Sequence, residues 1–355
     1  MSQDLTVASF FCGCGGSDLG ILGDFDYLNQ HYAKLPIEIN YAVDFDKFAV
    51  QTYNANFLHK AICKDIRNVS IQDIPNFDIL IGGFPCQSFS TVNPTKDTND
   101  ARANLYKELV RVLTAKKPKF FICENVKGLM TLQKGEILKK VIRDFEAVGY
   151  HVVYKLLLAS DYGIPQRRER VFIVGIRNDV PLQYQFPEPT HTQYPTQNKK
   201  LWNPLKSIVK ELRIDEDKYY FSQKAVEGMK NAKNNMKRGL FQDLESQCLT
   251  ITSHLAKVSL NSRDPVLLVD ADKEIYRRFT PKEASGIQSF PDSFVFPVSE
   301  IQAYKQIGNA IPPVLMWHVA KSLTDLIAND CALKKNTKQS KRKKGHNTNE
   351  AVALN

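Results

Sequence analysis

A thiol and a carboxyl group follow two apolar runs of this chain. Cys86 comes after the run 77–81, in the segment Ile-Gly-Gly-Phe-Pro-Cys-Gln-Ser-Phe-Ser, and Glu124 comes directly after the run 120–123. Both runs are typical of buried strands, and ligands of open α/β sheets bind in the crevice outside the carboxyl ends of the strands. A nucleophile and an acid held there together predict covalent catalysis.

A second group of residues is suited to hold a ligand. Gly13, Gly15 and Gly16 follow the first apolar run and would let backbone N–H groups approach a ligand closely. Their spacing departs from the dinucleotide fingerprint, so a pyrophosphate ligand is not indicated. Asp44 follows the second apolar run, where acidic residues bind ribose hydroxyls, and Asp65 is placed to reach an adenine amino group. Each of these residues is equally compatible with an ordinary turn.

The elements that must position these residues alternate between short apolar runs and amphipathic stretches. We predict a helix at 136–148 that stops at Gly149, and strands at 5–11, 37–43, 77–81 and 120–123. The alternation predicts an α/β fold with a mostly parallel sheet and helices on both faces. Two later runs, 152–158 and 171–176, are expected to close the sheet as a looped hairpin.

The alternation stops near residue 178, where Pro, Asn, Gln and Thr become frequent. We therefore predict a catalytic and ligand-binding domain at 1–177, a second domain at 178–275, and a return segment at 276–330 that completes the first domain. In the return segment, Thr280 and Glu283 predict a capping box, with Pro281 at the first helical position. The stretch 313–327 reads as a terminal helix.

Composition and charge restrict the class of protein. The chain has 355 residues, 43% of them hydrophobic, which supports a well-buried core. The apolar runs are too short to span a bilayer and the N-terminus lacks signal-peptide features, so we expect a soluble cytoplasmic protein. Seven cysteines without a short framework fit a reducing compartment. Cys12 and Cys14 have no partner pair with zinc-ligand spacing, so we expect packing residues and no metal.

The net charge of +10 is concentrated at the end of the chain. Residues 331–355 contain seven Lys or Arg against one Glu, a balance of +6 that leaves +4 for the rest. We expect this stretch to be a disordered, solubilising tail, with non-specific attraction to phosphates as the alternative.

Six sequence elements, in a fixed order, resemble the DNA cytosine-5 methyltransferase family. They are the glycine segment, Pro85-Cys86, Glu124-Asn125-Val126, Gln166-Arg-Arg-Glu-Arg170, Arg278-Phe-Thr-Pro-Lys-Glu-Ala and Gln306-Ile-Gly-Asn-Ala-Ile-Pro. The resemblance covers about 5–176 and 276–328. It implies a Rossmann-like fold and an enzyme of the bacterial restriction-modification type. Such an enzyme transfers a methyl group from S-adenosylmethionine to carbon 5 of a flipped cytosine in a specific duplex DNA sequence.

The resemblance also implies a role for each reactive group. Cys86 would add to carbon 6 of cytosine, which turns the ring into an enamine that is nucleophilic at carbon 5. Glu124 would stabilise the charge that develops at ring nitrogen 3. Arg168 and Arg170 would hold the carbonyl oxygen of the base and nearby phosphates, unless one of them neutralises Glu124 instead.

On the cofactor side, the resemblance implies S-adenosylmethionine as methyl donor, S-adenosylhomocysteine as product and no metal. Phe45 would pack on the adenine ring, and Asp44 stands where the family commonly has Glu, which shortens the arm toward the ribose. The implied cofactor contacts are Phe11, Gly13, Cys14, Gly15, Gly16, Asp44, Phe45, Asp65, Ile66, Gly83, Pro85, Asn309 and Ala310.

DNA contacts are expected in two places. Because a thiol cannot reach a base inside a duplex, the target must be flipped out, and Gln87, Ser88 and Ser90 would then touch the strand. These three residues are also compatible with a polar turn. The segment 178–275 would be the target-recognition domain, whose basic patch would meet phosphates through Lys224, Lys230, Lys233, Lys237 and Arg238.

We expect a monomer that acts on double-stranded DNA in the bacterial nucleoid, with a cognate endonuclease that cuts the same site without forming a stable complex. Three alternatives stay open. A transfer-RNA methyltransferase would share the chemistry, but the long middle segment favours DNA. A thiol hydrolase would need a histidine beside Cys86, and none lies at an obvious strand end. An inactive DNA-binding module is disfavoured because Cys86 and Glu124 are both present.

Overall fold

The computed structural model describes residues 4–85, 105–231, 241–257 and 265–347. In this part of the chain the strands are Leu5–Phe10 (β1), Phe25–Tyr27 (β2), Gln30–Tyr32 (β3), Ile37–Asp44 (β4), Ile62–Cys63 (β5), Ile79–Gly82 (β6), Phe120–Val126 (β7), Tyr150–Leu158 (β8), Gln166–Arg167 (β9), Glu169–Arg177 (β10), His191–Thr192 (β11), Lys200–Leu201 (β12), Cys248–Leu249 (β13), Leu267–Asp270 (β14) and Ile275–Arg277 (β15). The α-helices are Gly16–Leu22 (α1), Lys47–Asn56 (α2), Leu105–Lys116 (α3), Glu136–Ala147 (α4), Gln223–Asn231 (α5), Pro281–Ile287 (α6), Glu300–Asn309 (α7) and Pro313–Asn347 (α8).

A seven-stranded sheet in the order β5-β4-β1-β6-β7-β10-β8 forms the centre of the molecule. Neighbouring strands from β5 to β7 pair in parallel, whereas β10 runs antiparallel to both β7 and β8. Parallel neighbours need crossover connections, and α1, α2 and α3 lie in these connections. The predicted mostly parallel sheet, closed by a hairpin of the last two runs, is confirmed.

Both faces of the sheet are buried, which explains why its strands are apolar runs. In β1, Val7 belongs to one core, and Ala8 and Phe10 belong to the other. Successive side chains of a strand point to opposite faces, so a strand covered on both sides needs apolar residues at nearly every position. Helices α1 and α8 contribute to the first core, and α3 and α4 contribute to the second.

Most of the predicted strands differ from the observed ones by one to three residues at an end, and two of these differences lie at the predicted site. β1 ends at Phe10 because Phe11 has a left-handed backbone, with φ of 54°, that turns the chain into the glycine segment. β7 continues past Cys123 to Val126 because the antiparallel strand β10 pairs with it as far as Val126. Glu124 is therefore held within the sheet.

The middle and return segments share a small core, formed by Leu205, Cys248, Ile251, Phe279, Ile287 and Ile307 among others. The predicted capping box is present at the start of α6: the Glu283 N–H donates to Thr280 Oγ1 over 3.1 Å, and the Thr280 N–H donates to Glu283 Oε2 over 2.8 Å. Residues 311–323, in contrast, pack into the core of the large sheet. The return segment thus divides between two cores, and the domain boundaries at 178 and 276 stay predictions.

Helix α8 runs from Pro313 to Asn347, so residues 331–347 are helical where we expected a disordered tail. Ala, Leu, Lys, Gln and Arg dominate this stretch, and their high helix propensity lets a helix continue beyond the residues that pack into a core. Among the described helices, none combines the length and the hydropathy needed to cross a bilayer.

Candidate active site

The predicted functional residues meet at one edge of the sheet. The glycine loop, residues 11–15, follows β1, and Asp44 is the last residue of β4. Gly83 follows β6, and Glu124 lies near the end of β7. Because these four strands are parallel, their carboxyl ends share an edge, and these predicted site residues lie along it.

Glu124 is a buried carboxyl group with a cation beside it. Its side chain is 11% exposed, and Arg170 Nε lies 2.8 Å from Glu124 Oε1. Burial raises the pKa of Glu124, and the charges of Arg170 and Arg168 offset part of that rise. The net upward shift means that Glu124 holds a proton more readily than an exposed glutamate does, so it is suited to donate a proton or a hydrogen bond.

The antiparallel strand β10 places Arg170 next to this carboxyl group. Arg170 is the partner of Val126 across the ladder, and Phe172 is the partner of Glu124. Residues that are diagonal across an antiparallel pair lie on the same face, within reach of long side chains. The pairing register thus brings together two residues that are 46 positions apart in the sequence.

Arg168 has a different environment, although it is only two residues away. It is 1% exposed, and its guanidinium donates to backbone carbonyl oxygens of Ile251 over 2.9 Å, Gly308 over 3.0 Å and Ala310 over 2.9 Å. The alternative to contact with the base was that one of the two arginines neutralises Glu124, and Arg170 is the arginine that lies beside this carboxyl group. Arg168 instead joins the middle segment to the loop that follows α7.

Cys86, Gln87, Ser88 and Ser90 lie outside the described residues. The chain that leads to them is described as far as Pro85. Asn125 Nδ2 donates to the carbonyl oxygen of the buried Phe84 over 2.8 Å. This bond attaches the segment before Cys86 to the strand that carries Glu124.

Asn125 was not among the predicted site residues. The sequence could have indicated it, because Asn125 directly follows Glu124 at the end of a buried strand, where an amide side chain needs a hydrogen-bond partner. Gly83 also lies beside the carboxyl group, because a Cβ atom on Gly83 would be 3.5 Å from Glu124 Oε2.

The glycine loop is tightly packed at two positions and open at one. A side chain on Gly15 would overlap the ring of Phe57, and one on Gly16 would approach the carbonyl oxygen of Ile311. Gly13, with φ of 56°, has no neighbour within 4 Å of the position that a Cβ atom would occupy. The loop therefore rests on the protein at Gly15 and Gly16 and leaves room for a ligand at Gly13.

Asp44 is bound to this loop by its carboxylate. Asp44 Oδ2 accepts a hydrogen bond from the Gly13 N–H over 2.9 Å, and Oδ1 accepts one from the Asp46 N–H over 2.8 Å. Burial raises the pKa of Asp44, and these backbone donors offset part of the rise. The ring of Phe45 next to it is 70% exposed, which is unusual for a large apolar side chain and leaves a flat aromatic surface for a ligand.

Four further predicted cofactor contacts are Asp65, Ile66, Asn309 and Ala310. Asp65 caps the short 3₁₀ helix Ile66–Asn68 and forms an ion pair of 2.5 Å with Arg67, which lowers the pKa of Asp65. Ile66 is buried. Asn309 is exposed, and Ala310 packs beside Gly16.

Two cysteines of the glycine loop are buried. Burial raises the pKa of Cys14 to about 12 and that of Cys12 above its ordinary value. Both are therefore thiols that fill space beneath the loop, in line with the prediction that they are packing residues.

The sequence matches the family model of the C-5 cytosine-specific DNA methylases over residues 5–325. The chain belongs to this family. Among the relatives of this DNA methylase, the Type II methyltransferase M.FnuDI of Fusobacterium nucleatum is 32% identical, over 94% of this chain and 98% of the relative. The Type II methyltransferase M.BspRI of Lysinibacillus sphaericus is 36% identical, over 92% of this chain and 83% of the relative.

Solved structures agree on the fold of the DNA methylase. The Dnmt2 methyltransferase of S. pombe superposes with a TM-score of 0.70 at 20% identity, over 92% of this chain and 99% of that one. A triply substituted DNMT2 of Spodoptera frugiperda gives a TM-score of 0.69 at 20% identity, over 90% and 99% of the two chains. The predicted Rossmann-like methyltransferase fold is confirmed.

Membership in the family confirms the predicted enzyme class. The DNA methylase transfers a methyl group to carbon 5 of cytosine in DNA, and the family implies S-adenosylmethionine as the donor. The hydrolase and the inactive binding module are thereby set aside.

The predicted DNA contacts of the methylase are only partly described. Lys224 lies on α5 and is exposed, and this helix packs through Val226 against Val266 and Tyr276. Lys230 also belongs to α5, but its side chain is outside the described part. Lys233, Lys237 and Arg238 lie outside the described residues, so the basic patch stays a prediction.

Proposed function

We propose that this chain is the modification methyltransferase of a Type II restriction-modification system, and that Cys86, Glu124 and Arg170 act together on a flipped cytosine. The observation that carries the proposal is the buried ion pair of Glu124 with Arg170, beside the segment that leads to Cys86. The names of the relatives, which are Type II methyltransferases, support the biological setting.

Cys86 is the nucleophile in this proposal. Its thiolate sulfur forms a bond to carbon 6, and the electron pair of the 5,6 double bond moves into the ring toward nitrogen 3. Carbon 5 becomes nucleophilic and takes up a methyl group, whose bond to the sulfonium sulfur of the methyl donor would break with the electron pair going to that sulfur. Loss of the proton from carbon 5 then restores the double bond, and the sulfur leaves carbon 6 as a thiolate.

Glu124 stabilises the addition of the thiolate. A proton shared between the carboxyl group and ring nitrogen 3 neutralises the negative charge that develops there. The raised pKa of Glu124 supports this role, because an exposed glutamate would give up its proton near neutral pH.

Arg170 holds the base and adjusts the carboxyl group. Its Nε is engaged with Glu124, and its Nη1 donates to the carbonyl oxygen of Glu169 over 2.7 Å. A guanidinium has five N–H donors, so capacity is left for the carbonyl oxygen of cytosine. Arg168 is the weaker candidate for contact with the base or phosphates, because it is 1% exposed and three of its donors are bound to backbone carbonyl oxygens.

The cofactor site fits S-adenosylmethionine. When bound, this cofactor supplies an electrophilic methyl group, which carbon 5 takes up. Asp44 would accept hydrogen bonds from the ribose, Phe45 would pack on the adenine, and Asp65 and Asn309 would complete the pocket. The open space at Gly13 supports close approach of a ligand to the loop backbone. S-adenosylhomocysteine is the product, and no step of the proposal needs a metal.

The substrate is duplex DNA with the target cytosine flipped out, and Gln87, Ser88 and Ser90 are proposed to touch the strand after the nucleophile. The region 178–275 is proposed as the target-recognition domain. We propose that the enzyme works as a monomer in the bacterial cytoplasm, and that a cognate endonuclease acts on the same site independently.

The experiment uses a duplex that contains 5-fluorocytosine, together with S-adenosylmethionine. Fluorine on carbon 5 cannot leave as a proton does, so a covalent adduct at Cys86 is expected to accumulate and to be found by peptide mass spectrometry. The Cys331→Ala variant, which removes another cysteine, is expected to form the adduct, and Cys86→Ala is not. An adduct on another residue, or none with an active preparation, would contradict the assignment.

The duplex for this trapping experiment comes from a first step that maps 5-methylcytosine at base resolution after incubation with genomic DNA. The mapped sequence also tests the Type II assignment, since methylation at one short motif is expected. Scattered methylation without a motif would argue against a modification enzyme.

A further inference from the structure

Asp18 is a fully buried aspartate directly beneath the glycine loop, and no role has been given to it so far. It lies in the first turn of α1 and is 0% exposed. In the part of the chain that the structure describes, no Lys, Arg or His forms an ion pair with it. A buried carboxylate without a cation must be held by hydrogen-bond donors.

Three hydroxyl groups supply these donors, and they come from three different elements. Ser9 Oγ, on β1, and Ser17 Oγ, on α1, each donate to Asp18 Oδ2 over 2.9 Å. Tyr53 Oη, on α2, donates to Asp18 Oδ1 over 2.9 Å. The carboxylate therefore joins the strand before the glycine loop, the helix after it and the helix that packs against it.

The Tyr53 side chain transmits this connection to the loop itself. A Cβ atom on Gly15 would lie 3.1 Å from Tyr53 Cδ2 and would overlap the ring of Phe57. The rings of Tyr53 and Phe57 contact each other with centroids 4.4 Å apart. These two rings form the floor on which the loop rests, and the hydroxyl group of Tyr53 sets the position of the floor.

The loop needs such support because its backbone is unusual. Phe11, Gly13 and Gly15 have left-handed φ angles of 54°, 56° and 96°. A non-glycine residue in this region is strained and persists only where surrounding contacts hold it. The Asp44 carboxylate holds the loop at Gly13 from one side, and the hydroxyl groups bound to Asp18 hold it from below.

We propose that Asp18 is a positioning residue for the methyl-donor site, which keeps the glycine loop in its binding conformation through Tyr53, Ser9 and Ser17. The inference rests on the proposed cofactor site. Asp18 touches neither the cofactor nor the base, so its loss affects the affinity for S-adenosylmethionine and leaves the chemical step nearly unchanged.

Burial raises the pKa of Asp18 to about 6, and the three hydroxyl donors offset part of this rise. A carboxylate that is costly to bury and makes no ion pair adds little to stability of its own. A purely structural role would be served as well by an apolar residue of similar size. The geometry toward the loop is what the aspartate contributes.

The test compares two Tyr→Phe variants, each of which removes a single buried hydroxyl group. Tyr53→Phe takes away one donor to Asp18 and keeps the ring that supports Gly15. Tyr150→Phe is the matched control, because Tyr150 is also buried and its Oη donates to the Pro118 carbonyl oxygen over 2.7 Å, at the opposite edge of the sheet. Calorimetric titration measures the Kd for S-adenosylmethionine, and thermal unfolding measures stability.

We expect Tyr53→Phe to raise the Kd for S-adenosylmethionine about fivefold to tenfold, in the range of one ordinary hydrogen bond. The KM for the cofactor should rise by the same factor, and kcat at saturating cofactor should change by less than about twofold. Tyr150→Phe should lower the melting temperature about as much as Tyr53→Phe does, but it should leave the Kd for S-adenosylmethionine unchanged.

Ser17→Ala removes a second donor from a half-buried position and decides the question if Tyr53→Phe does not fold. The inference would be overturned if the folded variants among Tyr53→Phe and Ser17→Ala bind S-adenosylmethionine with the wild-type Kd, or if Tyr150→Phe raises the Kd equally. Either result would leave the proposed function intact. Failure of the wild-type enzyme to bind S-adenosylmethionine would instead overturn the proposed cofactor site itself.

Discussion

Two carboxyl groups at the same edge of the sheet are held in different ways. On the cofactor side, Asp44 accepts hydrogen bonds from the N–H groups of Gly13 and Asp46. On the target side, Glu124 pairs with the guanidinium of Arg170. Burial raises the pKa of both groups, but backbone dipoles oppose the shift on one side and a cation opposes it on the other.

The difference matches what each side has to do. Backbone N–H groups cannot leave Asp44 unless the loop refolds, so the carboxylate is a fixed acceptor for a ligand that only has to bind. On the target side, the proposed contact of the free Arg170 donors with the carbonyl oxygen of cytosine would draw part of the positive charge away from Glu124 as the base binds. The target side is thus adjustable where a proton has to be shared.

The largest expected effect is on the target side. Glu124→Gln keeps the size of the side chain but removes its ability to give a proton to ring nitrogen 3. We expect the single-turnover rate constant of methyl transfer to fall about 10²-fold to 10³-fold, while the Kd for S-adenosylmethionine stays unchanged. Glu136→Gln, in an exposed ion pair with Lys139 on α4, is the control and should be fully active. A large change in the Kd for S-adenosylmethionine would contradict the division between a cofactor side and a target side.

Arg170→Met tests whether the cation adjusts the carboxyl group. Loss of the guanidinium removes the largest effect that opposes the raised pKa of Glu124, so this pKa should rise further. Activity at neutral pH should fall about tenfold to a hundredfold, because the base loses a donor. The proton on Glu124 should also persist to higher pH, so the decline of the rate with rising pH should begin at a higher pH than in the wild type. A pH profile of single-turnover rates checks this. If the decline begins at the same pH as in the wild type, Arg170 does not adjust the pKa of Glu124.

Asp44→Ala tests the fixed side. Without its carboxylate, the N–H of Gly13 loses its acceptor and the ribose loses its partner, so the Kd for S-adenosylmethionine should rise about tenfold or more. The kcat at saturating cofactor should change little. Asp78→Ala is matched to it, because Asp78 also accepts from a backbone N–H, that of Thr6, but before β6 at the other edge of the sheet. Asp78→Ala should lower stability and leave the Kd alone, and equal effects of the two variants would argue against a specific role of Asp44.

The smallest effect is expected outside both sides, at the exposed Lys224 of α5. If Lys224 contacts a phosphate, Lys224→Ala should weaken DNA binding about twofold. It should also reduce the slope of log K against log salt by about one. Lys139→Ala, an exposed lysine on α4, is the control. Binding curves at several salt concentrations decide, and an unchanged slope would remove Lys224 from the interface.

The fold could be predicted from the sequence where burial on both faces makes a strand a continuous apolar run, as in β1, β4, β6 and β7. The capping box at Thr280 was visible because its residues are three positions apart. Arg168 could not be placed in this way, since its carbonyl partners at Ile251 and Gly308 are 83 and 140 residues away. The hydroxyl groups around Asp18 and the bond from Asn125 to Phe84 likewise depend on how distant segments pack.

Strand β10 has a consequence for how such a chain can vary in length. It pairs with β8 along its whole extent and with β7 from Arg170 to Ile176, both without a register shift, and Arg170 faces Glu124 only in that register. One inserted or deleted residue in β10 would turn Arg170 to the opposite face of the sheet. The described residues between 178 and 275 carry no strand of this sheet, so insertions among them leave the pairing of β10 with β7 and β8 intact. A lineage of such chains is therefore free to exchange the part proposed to read DNA while the reacting pair stays in place.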